Sequence, residues 1–243
     1  MTASTPAGGV RDTYATLARA QKSGAGVPWY MRVVNRRLGR AIASVAAQTR
    51  ATPDHLTAAS FVAFLVGAGL LATVTPSMAT AVSAMLLLQL GFALDSADGQ
   101  LARLRGAGSA AGEWLDHVVD AARHLLFHLA VLVGLQRFTD VPDRVLLVPL
   151  LFAVVSSVRF FAQILAEQLA GRDAVAGPAS VPRFGVWIQA PADTGLLNAI
   201  VILWAWPTTF LWAYVIMAVL NGLLLLATVV RRRRELSQLP VSS

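Results

Sequence analysis

Long apolar runs constrain this chain more than any other feature. Apolar residues make up 56% of its 243 residues and charged residues only 14%, which is far more apolar than a soluble domain. A helix crosses a bilayer in roughly 20 apolar residues. Five runs reach about that length and a sixth is shorter, so we predict an all-α integral membrane protein with six transmembrane helices. In chain order the runs are Leu56–Val74, Met78–Leu94, Trp114–Leu135, Val145–Leu165, Ala192–Trp206, which is the short one, and Thr209–Val230.

The sequence before the first run has two parts. Residues 1–26 are rich in Ala, Gly, Ser and Thr and contain no apolar signal-peptide core, so we expect a disordered tail. Residues 27–50 show a helical pattern with separate apolar and basic stripes, which predicts an amphipathic helix at the membrane interface. A helix packed on the rest of the protein fits the pattern equally well. The apolar stripe is Val34, Leu38 and Ile42, and the basic stripe is Arg32, Arg36 and Arg40.

The remaining chain divides into a six-helix transmembrane domain over residues 51–231 and a tail over residues 232–243. If six spans alternate, most of its basic charge falls on one side, and the positive-inside rule makes that side cytoplasmic, with both termini. The net charge of +7 therefore reflects how the protein is oriented in a cell membrane and its contact with anionic lipid. We expect no nucleic-acid partner. The basic groups on this side are Arg32, Arg36, Arg37, Arg40 and Arg50, then Arg103 and Arg105, then Arg172 and Arg183, and finally Arg231–Arg234, while the charges of Arg137, Asp140, Asp143 and Arg144 cancel in the opposite loops.

Five of the thirteen acidic residues, four of them aspartates, fall within one short stretch that joins the second and third runs. On helices, residues three or four apart share a face, and Gly106–Gly108 permits a turn that would bring the two acidic pairs together. Carboxylates crowded beside a bilayer need compensating cations. The stretch has the form D-x-x-D-G-x-x-A-R, eight further residues, and G-x-x-x-D-x-x-x-D, with Asp95, Asp98, Gly99, Ala102, Arg103, Gly112, Asp116 and Asp120 at the fixed positions.

An all-oxygen ligand set in a chain without cysteine favours Mg²⁺ or Mn²⁺, with one or two ions bound. Gly99 and Gly112 leave space beside the acids, and Arg103 is placed to pair with phosphate, so we predict a pyrophosphate substrate. Two alternatives remain: buried salt bridges with Arg103, Arg105 or Arg123, or a non-enzymatic cation transporter. Transport would require acids across the depth of the bilayer, whereas these cluster near one face.

The segment Asp95–Asp120 resembles the signature of the CDP-alcohol phosphotransferase (CDP-alcohol phosphatidyltransferase) family at every signature position. The resemblance implies a homodimeric six-helix membrane enzyme that transfers a phosphatidyl or similar group from a CDP-linked donor to an alcohol and releases CMP. It also implies that Asp95, Asp98, Asp116 and Asp120 bind two metal ions and that Asp120 is the base. Residues implied at the CDP donor are Gly99, Ala102, Arg103, Ser109 and Gly112.

A weaker likeness to the same family lies at the start of the first span, at Thr52–Thr57. It makes Asp54 and Thr57 candidates for the donor site, although Asp54 stands where the family usually has asparagine. Helix capping explains these residues equally well.

The resemblance favours CDP-diacylglycerol as donor and a small polar alcohol as acceptor, in phospholipid biosynthesis. The alternative donor is a soluble CDP-polyol such as CDP-inositol. The segment Asn35–Arg40 resembles the corresponding segment in branches of the family that use such donors. Val186–Asp193, which leads into the short run, contains no basic residue, and this argues against a phosphorylated acceptor. Basic residues that could bind an acceptor phosphate are Arg123, Arg159, Arg172 and Arg183.

Two histidines extend the polar line of the third run. His124 and His128 follow Asp120 at four-residue steps. We expect them to pack or to support the aspartates rather than to bind metal, because the carboxylates already suffice as ligands.

Overall fold

The structure, a computed structural model, describes residues 9–20, 28–170 and 190–237. Every regular element in these ranges is helical, as predicted. Short π- or 3₁₀-helical segments occur at Met31–Asn35, Asp143–Leu146, Ala190–Ala192 and Ile200–Ala205. The α-helices are α1 (Val10–Arg19), α2 (Arg36–Ala46), α3 (Pro53–Thr73), α4 (Met78–Arg105), α5 (Ala110–Phe138), α6 (Leu147–Ala170), α7 (Thr194–Ala199) and α8 (Pro207–Leu236).

In the described part of the chain, five helical segments are long and apolar enough to cross a membrane: α3, α4, α5, the segment Asp143–Leu169 that contains most of α6, and α8. The short run predicted as a further span forms α7 followed by the 3₁₀ segment Ile200–Ala205, and this helical stretch, Thr194–Ala205, is shorter than the others. It ends where Trp206 takes a non-helical conformation, with φ −128° and ψ 84°, because a residue before proline is disfavoured in the α-helical region.

The turn between α4 and α5 brings the two halves of the acidic stretch together. Gly106 ends α4 in the left-handed conformation with φ +59°, which glycine adopts without steric cost. The Ala107 N–H then donates to the Ala102 carbonyl at 2.9 Å, as in a Schellman cap. Ser109 starts α5 by accepting the Gly112 N–H at 3.0 Å. This is the turn that the glycines of the sequence predicted.

α3 packs against α4 and α5, while α6 packs against α5 and α8. Small residues allow close approach: a Cβ on Gly91 of α4 would lie 2.8 Å from the Ser60 carbonyl of α3. The main buried cluster fills the end of the bundle away from the acidic stretch. Its largest side chains include Phe64, Leu71, Leu88, Leu135, Phe152, Trp204, Phe210 and Tyr214.

A second, smaller cluster lies at the end that carries the acidic stretch, and it corrects the prediction of a disordered tail for residues 10–19. α1 forms there because Leu17 is buried against Ala43, Ala46 and Leu101. Gln48 also donates to the Thr13 hydroxyl at 3.1 Å. The tail prediction missed this helix since it weighed composition alone, whereas burial of one leucine on α2 and α4 holds α1 in place. The rest of the predicted tail lies outside the described residues.

The predicted amphipathic segment is helical, but its buried face is not the predicted apolar stripe. The face packed on α4 consists of small or polar residues, among them Asn35, Gly39 and Ala43. A Cβ on Gly39 would lie 2.7 Å from Ser96 Oγ, so α2 packs tightly on α4. Leu38 of the predicted stripe remains 46% exposed. The segment therefore combines a packed face with an exposed apolar one.

Candidate active site

Three of the four signature aspartates converge where α4 ends and α5 begins. Asp95 and Asp98 on α4 and Asp116 on α5 each offer one carboxylate oxygen, and these three atoms lie within 4.8 Å of one another. The spacing predicted from the sequence therefore brings both halves of the signature to one place. We call Asp95, Asp98 and Asp116 the carboxylate trio.

Asp98 is the most constrained member of the carboxylate trio. It is only 5% exposed, and its Oδ2 accepts the Thr57 hydroxyl of α3 at 2.6 Å. Its Oδ1 faces the Gly99 N–H at 2.5 Å. Thr57, a predicted donor-site residue, thus contacts an acid of the signature directly and fixes the orientation of that carboxylate.

Asp120 lies one helical turn beyond Asp116 on α5 but is not part of the trio. Its Oδ1 accepts from Arg123 Nη1 at 3.0 Å. The same Arg123 nitrogen forms an ion pair with Asp95, and Nη2 donates to the Ser60 hydroxyl. The sequence made Arg123 a candidate for binding an acceptor phosphate. In the structure it pairs with two signature acids, as the salt-bridge alternative predicted.

The first turns of α3 and α5 face each other beside the trio. Asp54 Oδ1 lies 3.7 Å from the position of a Cβ on Gly112, so a side chain at residue 112 would begin to fill this gap. Thr52 caps α3 in a capping box with His55, and Pro53 occupies the first turn. Capping is thus carried by Thr52, which leaves Asp54 directed towards α5. Ser109, another predicted donor-site residue, has its hydroxyl engaged as the α5 cap.

Basic side chains line the outer edge of this region. Arg103 Nη1 lies 3.4 Å from the position of a Cβ on Gly99, and Ala102 is half-buried on the same helix. Burial lowers the pKa of Arg36, and the charges of Arg103 and Arg32 lower it further. Arg36 of the N-terminal segment therefore lies close enough to Arg103 for their charges to interact.

The other basic residues of the signature region and the acceptor candidates are placed differently. Arg105, named in the salt-bridge alternative, donates to backbone carbonyls, including that of Thr49 at 2.9 Å, and so joins α4 to the chain after α2. Arg159 of α6 donates to the Ala192 carbonyl at 3.4 Å, and its buried Nε has no hydrogen-bond partner in the described part of the chain. Arg172 and Arg183 lie outside the described residues.

The two histidines after Asp120 hydrogen-bond away from the trio. His124 Nδ1 lies 2.8 Å from the Ser156 hydroxyl of α6, and His128 Nδ1 lies 2.6 Å from the Tyr214 hydroxyl of α8. His128 is 1% exposed, so it belongs to the packed core. These contacts match the expected packing or supporting role.

Two polar residues were not anticipated from the sequence. Ser60, one turn after Thr57, bonds Arg123 and could have been found by extending the polar face of α3 by three residues. Asp193 accepts the Met31 N–H at 3.1 Å and the Gly195 N–H at 3.0 Å, and so joins the N-terminal segment to α7. Its role has no local sequence signal, because Met31 is far away along the chain.

The trio has the chemistry that a hard divalent cation requires. All three ligand atoms are carboxylate oxygens, which Mg²⁺ and Mn²⁺ prefer. Of the side chains that the structure describes, a Cβ on Gly99 would meet only that of Arg103 within 4 Å, so room remains for a phosphate-bearing ligand on that side. These residues therefore fit a divalent ion.

Comparison with known proteins assigns the chain to a family. No curated protein matches it significantly. The family described as CDP-alcohol phosphatidyltransferase matches residues 50–238, which is most of the chain and includes every signature residue. The members of this family transfer substituted phosphate groups, a reaction that suits acids, glycines and an arginine gathered at one end of a membrane bundle. This protein belongs to the CDP-alcohol phosphatidyltransferase family.

Proposed function

We propose that this protein transfers the phosphatidyl group of CDP-diacylglycerol to the hydroxyl of a small polar alcohol and releases CMP, as a step of phospholipid biosynthesis. The observation that carries the proposal is the carboxylate trio, with oxygens within 4.8 Å of one another, next to the gap that Gly99 and Gly112 leave open. Acids aligned for ion transport would be spread along a span, so their gathering at one end supports the enzyme over the transporter.

The proposed roles of the residues follow from their positions. Asp95, Asp98, Asp116 and Asp120 hold one or two divalent ions, Mg²⁺ or Mn²⁺, which when bound neutralise the charge that develops on the departing CMP phosphate. Asp54, Thr57, Gly99, Ala102, Arg103, Ser109 and Gly112 form the donor site.

Asp120 receives the acceptor proton as the acceptor oxygen bonds to the transferred phosphorus and the bond from that phosphorus to CMP breaks. A carboxylate is a weak base, so its position matters more than its basicity. Arg159 is the better placed of the two described acceptor candidates, because Arg123 is already bound to acids. Arg172 and Arg183 remain candidates on sequence grounds.

The proposed membrane arrangement has six crossings, with the active site and both termini in the cytoplasm. The stretch Thr194–Ala205 supports the sixth crossing. It begins beside Asp193, which binds the N-terminal segment, and near its end Trp204 packs edge-on against Phe210 of α8, with ring centroids 5.2 Å apart. Its two ends thus lie near opposite ends of the bundle.

In the same arrangement the N-terminal segment lies at the membrane surface. Its exposed apolar residues, Leu38 and Val45, support contact with lipid, and its arginines support contact with anionic headgroups. We also propose a homodimer, on the family resemblance.

The deciding experiment is to incubate purified protein with CDP-diacylglycerol, Mg²⁺ and a panel of alcohols, and to detect CMP by mass spectrometry. We expect CMP with at least one acceptor and none after addition of a chelator. Asp120→Asn should abolish CMP release while the protein is still produced at the normal level. Unchanged turnover in this variant would reject Asp120 as the base.

A soluble CDP-polyol such as CDP-inositol is the second candidate donor. Arg32 and Arg36 add positive charge near Arg103, on the segment that contains the Asn35–Arg40 element, and such charge suits a polyanionic soluble donor. CMP release with CDP-inositol but not with CDP-diacylglycerol would select this branch. No CMP with either donor would contradict the proposed reaction.

A further inference from the structure

Arg123 has an unusual set of partners for an arginine inside a membrane bundle. Its side chain is 13% exposed, and Nη1 pairs with both Asp95 and Asp120. Nη2 donates to the Ser60 hydroxyl on α3. The single nitrogen Nη1 thus holds an acid from α4 and an acid from α5 together, while Nη2 joins them to α3. Breaking such a buried pair on one side leaves an uncompensated charge.

Asp95 is shared between two arrangements. It pairs with Arg123, and it also offers a ligand oxygen to the carboxylate trio. A guanidinium and a divalent cation are both positive and both bind carboxylate lone pairs. Asp95 therefore cannot give its full charge to both cations, and a gain in one contact weakens the other.

We propose that Arg123 is an internal counter-cation that competes with a divalent ion for Asp95, so that this arginine sets the ion affinity of the site. The inference rests on the proposed divalent-ion site. An ion at the trio draws Asp95 away from Arg123 and leaves the guanidinium on Asp120 and Ser60. Arg123 is then a positioning residue, which keeps the Asp120 carboxylate oriented while the ion is bound.

The same contacts argue against direct substrate binding by Arg123. Both terminal nitrogens of its guanidinium already have partners within the protein. Among the described residues, by contrast, Arg159 has a single long hydrogen bond, to a carbonyl. A phosphate at Nη1 of Arg123 would have to displace two carboxylates.

The test measures binding of Mn²⁺ alone to the purified full chain, in detergent and without nucleotide, by electron paramagnetic resonance of the free ion. Removing the competing charge in Arg123→Gln should lower the Kd for Mn²⁺ by about 5- to 150-fold, the range of typical coupling between two sites. The rise in Tm on adding Mn²⁺ should also be larger than in the wild type, because ligand stabilisation grows with affinity. An equal or weaker Mn²⁺ affinity in the folded variant overturns the proposal.

Arg105→Gln is the matched control, since it removes another half-buried arginine, which donates to backbone carbonyls and contacts no acid of the trio. Its Kd for Mn²⁺ should equal that of the wild type, and a similar tightening there would show a nonspecific charge effect and overturn the proposal. If Arg123→Gln folds only with Mn²⁺, the ion has replaced the guanidinium, as proposed.

If Arg123→Gln does not fold under either condition, Arg123→Met decides, because methionine also removes the competing charge but leaves no unpaired amide in the bundle. A larger Mn²⁺-induced rise in Tm than in the wild type supports the proposal, and an equal or smaller rise overturns it. These measurements need no substrate. If substitution of Arg123 leaves Mn²⁺ binding unchanged, this inference alone is overturned. If no CMP is released, the proposed function is overturned.

Discussion

At the scale of single residues, Thr57 shows how one hydroxyl can connect a helix outside the acidic stretch to the site. It donates to Asp98 at 2.6 Å and is 5% exposed. Thr57→Val keeps the shape but removes the donor. We expect a loss of about 10- to 100-fold in metal affinity or in CMP release, as is typical when a hydrogen-bond partner of a metal ligand is lost. Mn²⁺ titration and the CMP assay measure the two effects.

Thr80→Val provides the control for Thr57→Val. Thr80 is also buried, at 7% exposure, but it lies at the far end of α4, where its hydroxyl donates to the Thr75 carbonyl at 3.0 Å. Its variant should keep wild-type affinity and turnover. Equal losses in both variants would show that the effect comes from general destabilisation rather than from Asp98.

At the scale of helices, the contact between α3 and α4 depends on a glycine. A Cβ on Gly91 would lie 2.8 Å from the Ser60 carbonyl and 3.2 Å from the Phe64 nitrogen, and backbone atoms cannot move aside independently. Gly91→Ala should therefore destabilise the protein by about 1–3 kcal/mol, the usual cost of overpacking. Thermal unfolding in detergent should show a Tm that is lower by several degrees.

Gly69→Ala on α3 is the matched change for Gly91→Ala, because no packed neighbour among the described residues lies within 4 Å of a Cβ at that position. It should leave Tm unchanged or raise it slightly, since alanine favours the helix over glycine. If both variants lose the same stability, the α3–α4 approach is not the cause.

At the scale of the whole molecule, the absence of cysteine makes the proposed orientation directly testable. Ala107 lies in the exposed turn between α4 and α5, and Asp140 in the exposed loop after α5. One loop precedes α5 and the other follows it, so the two lie at opposite ends of this helix. A membrane-impermeant maleimide applied to intact cells should label Asp140→Cys, and should label Ala107→Cys only after permeabilisation.

The expected labelling follows from charge, since the positive-inside rule retains the arginine-rich end in the cytoplasm. The reverse pattern would place the carboxylate trio outside the cell. The cysteine-free parent chain, carried through the same labelling, shows the background.

Several features of this fold follow from local sequence. The apolar runs predicted six spans, five of which form long apolar helices, and the glycines from Gly106 predicted the turn that unites the signature. Each depends on neighbours a few residues apart, such as a cap or the helical repeat. The convergence of Asp95, Asp98 and Asp116 was predictable for the same reason, since one turn separates their helices.

The sequence by itself thus determined the membrane-spanning class, the acidic stretch and the family. Only the tertiary structure decided that α1 folds against α2, that Asp193 joins Met31 to α7, and that Arg123 binds both Asp95 and Asp120 through Nη1. The physical reason is that these contacts join residues distant along the chain, where burial and charge pairing depend on which surfaces meet. The local sequence shows which side chains are present, whereas the packing of the helices determines which side chains contact each other.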